Sequence, residues 1–253
     1  MKTSQVSFFR SLRAEFRKIL SVRANLIALT LLAILHAGLF SAIILNAPIT
    51  GVHFTQWKML FQGWNLPSIF FISMGVTVIT SEYANNTLRT TVLADPSRIR
   101  NFFAKALGLG TIVAIATTIM IAVTGLTVFF LWNGTVAAPD AIFYEVFGRY
   151  ILGMVLFSWL GLGLGYLLRT TAGGITAGIA LLYLVSLLQL IPVDFFQKTL
   201  PNYFLTNVSW QSLTTDSAIV TGNFSTLEAF AILAAYPLVT MLAGFFRYQR
   251  SDV

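Results

Sequence analysis

SEYANNTLRTTVLADPSRIRNFFAKAL, residues Ser81 to Leu107, lies between two long apolar runs, roughly 64–81 and 106–132. Each run is long enough to cross a hydrocarbon core of about 30 Å as a helix, so the stretch is a polar, basic interruption between two membrane spans. It holds no cluster of metal ligands, no nucleophile beside a base and no glycine-rich phosphate cradle. Its punctuation is helical. Proline is poorly tolerated inside a helix but suits the first turn, and aspartate is a good N-cap. Asp95-Pro96 therefore ends one helix, from about Asn85 to Ala94, and opens a second that runs from Pro96 into the next span. In the second, Ile99, Phe102, Phe103, Ala106 and Leu107 recur at a spacing of three to four. The first helix would be about 13–15 Å long at a rise of 1.5 Å per residue. It offers Arg89 with Asn and Thr side chains, and Leu88, Val92 and Leu93 as apolar contacts. That is the size and character of a docking element.

Outward from this stretch the chain is a polytopic membrane protein. Of its 253 residues, 57% are hydrophobic and only 10% charged, against roughly a quarter charged in a soluble domain. The expected fold is all-α, with six spans near 26–46, 64–81, 106–132, 148–168, 173–193 and 227–246. The first 25 residues lack the short apolar run and small-residue site of a cleaved signal peptide, so the run from Leu26 reads as a retained span. Residues 1–25 form an amphipathic interfacial segment, 26–246 the six-span domain and 247–253 a tail. Within the domain, 82–105 is the polar segment after the second span and 194–226 the outer segment.

The net charge of +7 is distributed as a topology signal. Lys2, Arg10, Arg13, Arg17, Lys18 and Arg23 precede the first span, and Arg89, Arg98, Arg100 and Lys105 follow the second. Arg169 follows the fourth, and Arg247 and Arg250 follow the sixth. Lys58, Arg149 and Lys198 fall on the other side, with Asp140, Glu145, Asp194, Asp216 and Glu228. Lysine and arginine bias marks the cytoplasmic side, which places both termini there, in the cell membrane, and accounts for the charge without nucleic acid. In the N-terminal segment Phe9, Leu12, Phe16, Ile19 and Leu20 make an apolar stripe, and Arg10, Arg13 and Arg17 a basic one. Such a helix lies on lipid, with its arginines near anionic headgroups.

The spans offer little for chemistry. There are no cysteines, and no Asp, Glu, Lys or Arg lies at the centre of a span, where such groups are usually functional. His36 in the first span reads either as a hydrogen-bonded packing residue or as a proton relay. Gln189 lies late in the fifth. Gly161/Gly165 and Gly174/Gly178 are each four apart, a spacing that allows close helix approach, within the chain or between protomers. Gly161-Leu-Gly-Leu-Gly165 is not a dinucleotide fingerprint, since no strand precedes it. Pro67 and Pro237 are candidate kinks. Phe195, Phe196, Leu200, Tyr203, Phe204 and Trp210 make the segment after the fifth span too apolar for a solvated loop, so short helices at or dipping into the interface are expected. The sequons at Asn133, Asn207 and Asn223 carry little weight.

The pattern Glu82-Tyr83, Thr87-Leu88-Arg89, Pro96-Ser97-Arg98 and Lys105, between the second and third of six spans, resembles the permeases of ABC-2 type transporters. Glu15-Phe16-Arg17-Lys18-Ile19-Leu20-Ser21-Val22-Arg23 resembles the segment before the first span in that family. The resemblance implies the type V exporter fold, in which two six-span permeases work with two copies of a separate ATPase that binds ATP and Mg. It implies an interfacial helix over residues 5–23, a coupling helix over about 85–94 and outer helices over about 194–212. It assigns ATPase docking to Thr87, Leu88, Arg89, Thr91, Val92 and Leu93, and a boundary or hinge to Glu82, Asp95, Pro96 and Arg98. Glu82 would either pair with a base of the N-terminal helix or be a simple helix-end carboxylate. His36, Gly174, Gly178 and Gln189 are candidates for a dimer interface or pathway. No catalytic or metal-binding residue is assigned, and no G-x-x-x-x-G-K-[ST] is present, so ATP hydrolysis would belong to another chain. The expected cargo is amphipathic: an antimicrobial peptide or drug first, then a lipid or lipid-linked glycan. The expected assembly is a homodimer embedded in membrane lipid. A non-transporting assembly or sensor subunit is the alternative, and a secondary transporter a third.

Overall fold

The computed structural model describes residues 7–46, 60–61, 63–85, 87–94, 96–131, 141–214 and 224–250. Every regular element among them is helical. In chain order these are α1 (Phe8–Ser21), α2 (Arg23–Asn46), α3 (Asn65–Ala84), α4 (Thr87–Ala94), α5 (Arg98–Leu131), α6 (Ala141–Leu168) and α7 (Thr171–Leu182). A 3-10 helix (Leu184–Leu190) and two short turns of helix (Phe195–Thr199 and Leu200–Tyr203) lead to α8 (Leu205–Leu213) and α9 (Thr226–Gln249). Helices α2, α3, α5, α6 and α9 are long and apolar enough to cross a membrane, and α7 with the 3-10 helix makes a sixth span if counted together. The chain is a multi-pass, all-α membrane protein.

Glycine sets how closely the central helices approach. A Cβ added at Gly161 of α6 would lie 2.0 Å from the Ile72 carbonyl oxygen of α3, and one at Gly75 would lie 2.1 Å from the Ser158 carbonyl oxygen. Backbone therefore meets backbone across the parallel α3–α6 pair, as small residues allow when lipid gives no hydrophobic drive for helix association. On the other side of α6, a Cβ at Gly163 would lie 2.6 Å from the Thr240 carbonyl carbon of α9. Gly174 and Gly178 of α7 do the same work. Added Cβ atoms there would meet Val76 and Ile72 of α3 at 2.6 and 2.4 Å, so this glycine face is used inside the chain and is closed to a second copy or a pathway.

The fifth span, expected as one helix over 173–193, is broken. α7 stops at Leu182, and the 3-10 helix continues at 40° to it. The Thr206 hydroxyl donates to the Leu182 carbonyl, while the Ser186 N–H turns back to Tyr183. A side chain entering the helical hydrogen-bond ladder is a recognised cause of such kinks. The expected short helices near 194–212 are present. α8 dips inward: Leu213 packs against Gly153, about 18 Å along α6 from its start at 1.5 Å per residue. Pro67 sits in the first turn of α3, where proline is tolerated, and Pro237 lies inside a continuous α9.

Two further boundaries differ from expectation. α4 begins at Thr87, because the Asn85 N–H closes the end of α3 onto the Ser81 carbonyl. α5 begins at Arg98, because Ser97 caps it, its hydroxyl accepting from the Arg100 N–H at 3.4 Å. Asp95, the expected cap, lies outside the described residues.

Substituting Gly161 by alanine is expected to cost about 1–3 kcal/mol through overpacking. Gly148 has nothing within 4 Å of an added Cβ, and its alanine variant should be neutral or better. Thermal unfolding of the two purified variants in detergent checks the contrast.

Candidate functional site

One end of the bundle collects the ends of most helices, tied by charge. The Lys105 ammonium, on the second turn of α5, donates to Glu15 Oε2 of α1 at 2.7 Å and also to Glu82 Oε1 near the end of α3. Lys18 of α1 donates to the same Glu82 oxygen. Lys105 and Glu82 are only 2% and 1% exposed. Two carboxylates and two ammonium groups offset one another, as burial of ions requires if it is not to be prohibitive. The Lys18 side chain is the accessible member, where water screens the attraction. The other Glu82 oxygen, Oε2, has no hydrogen-bond partner among the described residues.

Local helix geometry delivers these groups. Ser11, Glu15 and Ile19 are the buried residues of α1 and, being four apart, share one helix face. α1 crosses α5 at Gly108, where an added Cβ would lie 3.4 Å from the Glu15 Cβ. Phe9 and Leu20, expected on the stripe that faces lipid, are 78% and 44% exposed. The face turned to the protein is the one that carries Glu15, whose ion pair with Lys105 holds it against α5.

Arginines finish the same end of the bundle. Arg98 donates to the Tyr248 and Gln249 carbonyls at 2.9 and 2.8 Å, and its guanidinium lies 5.7 Å from the Tyr248 ring centroid. Arg247 donates to the Leu167 carbonyl, and Arg169 to that of Arg247. The last carbonyls of a helix have no intrahelical partner and carry partial negative charge, so cationic caps suit them. Arg169 adopts φ 58°, a left-handed residue closing α6 in the position usually held by glycine. Its guanidinium stands 5.4 Å from the Tyr83 ring centroid of α3.

The short helix α4 hangs from this assembly. Its two roots are the end of α3, fixed by Glu82, and the start of α5, fixed by Lys105. Leu88 is 5% exposed and belongs to the core, which corrects its assignment as a docking contact: a side chain packed within the chain cannot also meet a partner. Leu93 is 75% exposed, and Thr87 and Thr90 are exposed on the same helix. The side chains of Arg89, Thr91 and Val92 lie outside the described residues. Pro96 is exposed beside Ser97.

The remaining candidates are dispersed. His36 is fully buried, its Nδ1 2.9 Å from the Thr124 hydroxyl of α5 and its ring 4.5 Å from that of Phe40. This is the packing arrangement, and it draws His36 into contacts within its own chain. Gln189 is exposed on the 3-10 helix. Of the two readings open for Glu82, the ion pair to the N-terminal helix is the one present. Sequence reasoning missed Lys105 as its second partner and Glu15 as the other carboxylate on that lysine. The available signal was a lone acid four residues before Ile19, and a lone lysine at the head of a long apolar run. Among the described residues no group of His, Asp and Glu could hold a metal ion. The chain matches none of the known protein-family models and none of the curated proteins with which it was compared.

Lys105→Met takes from buried Glu15 its lysine and leaves Glu82 with Lys18 alone, and is expected to cost about 3–5 kcal/mol, with much of that recovered by adding Glu15→Gln. Lys18→Met should cost under about 1 kcal/mol, its group being accessible to water. A double-mutant cycle on thermal unfolding measures both.

Proposed function

We propose that the chain is the membrane-spanning permease subunit of an ATP-driven exporter of the ABC-2 type. The observation that carries this reading is α4 itself. It is an eight-residue helix between two spans, with one side chain anchored in the core and an exposed apolar side chain at its far end. Its roots are locked to the N-terminal helix by buried charge. A push on such a helix is delivered to α1, α3 and α5 together, because each contributes to the ionic cluster. Loops usually carry function on a rigid scaffold, and this segment has the rigid roots that force transmission requires.

In this reading the basic end faces the cytoplasm, as the positive-inside rule directs, and the protein resides in the cell membrane. Two copies form the pathway, and two copies of a separate ATPase, which binds ATP and Mg, dock on the exposed side of α4. The short helices from Phe195 to α8 shape the exit. The cargo is amphipathic, a peptide or drug before a lipid or lipid-linked glycan, since the spans carry no central charged residue to receive a small ion.

Co-expression with an ATPase encoded beside this chain tests the reading. The expected result is a co-purifying complex that loses at least about tenfold in affinity, or 1.4 kcal/mol, in the Arg89→Glu/Leu93→Asp variant, while thermal unfolding of the permease stays unchanged. An ATPase that binds and is stimulated equally well by that variant would show that α4 is not its docking helix. Leu88 is left intact because its burial would confuse docking with folding.

A further inference from the structure

We propose that the outward side of α1 is a binding surface for anionic lipid headgroups, and that engagement there sets the position of α4 through the ionic cluster. This does not depend on the exporter reading. One side of α1 is committed to the bundle through Ser11, Glu15 and Ile19. At 100° per residue, Phe9, Leu20 and Arg13 fall together on the opposite side, with Arg17 and Arg10 beside them. Both carboxylates near α1 are taken by lysines, and no described residue pairs with the guanidinium groups of Arg10, Arg13 or Arg17.

The height of this surface is fixed by the corner that follows. A single residue, Val22, separates α1 from α2, and Asn25 Nδ2 fastens the corner by donating to the Ile19 carbonyl at 3.0 Å. α2 is a membrane-spanning helix that begins at Arg23, so α1 lies where the bilayer begins. Exposed Leu20 and Val22 continue into the exposed Leu26, Ile27 and Leu31 of α2, a strip that meets acyl chains. Apolar side chains dipping toward acyl chains with arginines alongside are the pattern of a helix seated among anionic headgroups. An acidic protein would match the arginines but not an apolar strip that runs on into a span. The same helix carries Glu15 and Lys18 to the roots of α4, so a shift of α1 on lipid shifts the anchors of α4.

The absence of native cysteine makes the test clean. The full chain carrying Leu93→Cys, labelled with an environment-sensitive fluorophore, is reconstituted in phosphatidylcholine bilayers with and without phosphatidylglycerol. Native mass spectrometry of the released protein measures the bound lipids. We expect phosphatidylglycerol to be enriched over phosphatidylcholine, and the enrichment to fall by up to about fivefold for each arginine neutralised in Arg10→Gln/Arg13→Gln/Arg17→Gln. Emission at position 93 should shift with phosphatidylglycerol in the parent and not in the triple variant. Glu15→Gln/Lys18→Met, which removes both ion pairs of α1 and leaves Lys105 paired with Glu82, should keep the enrichment and lose the shift, with Glu15→Gln alone expected to weaken the shift if the double variant does not fold. Equal lipid binding by parent and triple variant overturns the surface, as an acidic-protein site would give. An emission that ignores lipid composition in the parent, or a shift that survives loss of the ion pairs, overturns the link to α4.

Discussion

The Lys105 ammonium between Glu15 and Glu82 is the interaction on which the organisation of the basic end depends. It joins three segments far apart in sequence: the N-terminal helix, the end of α3 and the start of α5. Coulomb attraction is strong where water is excluded, but so is the cost of desolvation. Such a cluster therefore contributes less to net stability than to uniqueness of arrangement. Moving α1 off its site would expose apolar contacts and leave Lys105 short of a partner. The arrangement is consequently closer to all-or-none than to gradual, a property suited to a mechanical joint.

Around that joint the glycine contacts supply stiffness. α6 presents Gly161 and Gly165 to α3 and Gly163 to α9, while α7 presents Gly174 and Gly178 to α3. Backbones in contact leave no flexible side chain to absorb a displacement. Arg98, Arg169 and Arg247 then cross-link helix ends by donating to carbonyls that the helices cannot satisfy themselves. The opposite end is held differently, by side-chain insertion at Thr206 and by α8 wedged against Gly153.

Much of the fold was legible because apolar length and charge distribution are local in the sequence. Apolar runs marked the spans, and proline-bounded polar sequence marked α4. The break in the fifth span was not legible: it depends on Thr206, 24 residues away, competing for the Leu182 carbonyl. The start of α5 was misplaced by two residues, because Ser97 caps the helix where an Asp-Pro pair offered a stronger local signal. At the candidate site, Glu82 and its pairing with a base of the N-terminal helix could be anticipated, but Lys105 and Glu15 could not. Glu15 looked like part of a charged face, and Lys105 like one more boundary lysine. Only the crossing of α1 over Gly108 brings them together. Leu88 illustrates the converse: an apolar residue on a short helix reads equally as core or as contact surface, and three-dimensional packing decides.

The account stands on α1 being docked across α5 in the membrane. Cysteines introduced as Glu15→Cys and Gly108→Cys would have their Cβ atoms about 3.4 Å apart, near the separation that a disulfide spans. Lys18 still bridges to Glu82 in this variant, so α1 retains an ionic tether. Mild oxidation of native membranes should give rapid intramolecular cross-linking, visible as a mobility shift that reductant reverses. Failure to cross-link, with both thiols shown to be reactive, would place α1 elsewhere and contradict the account.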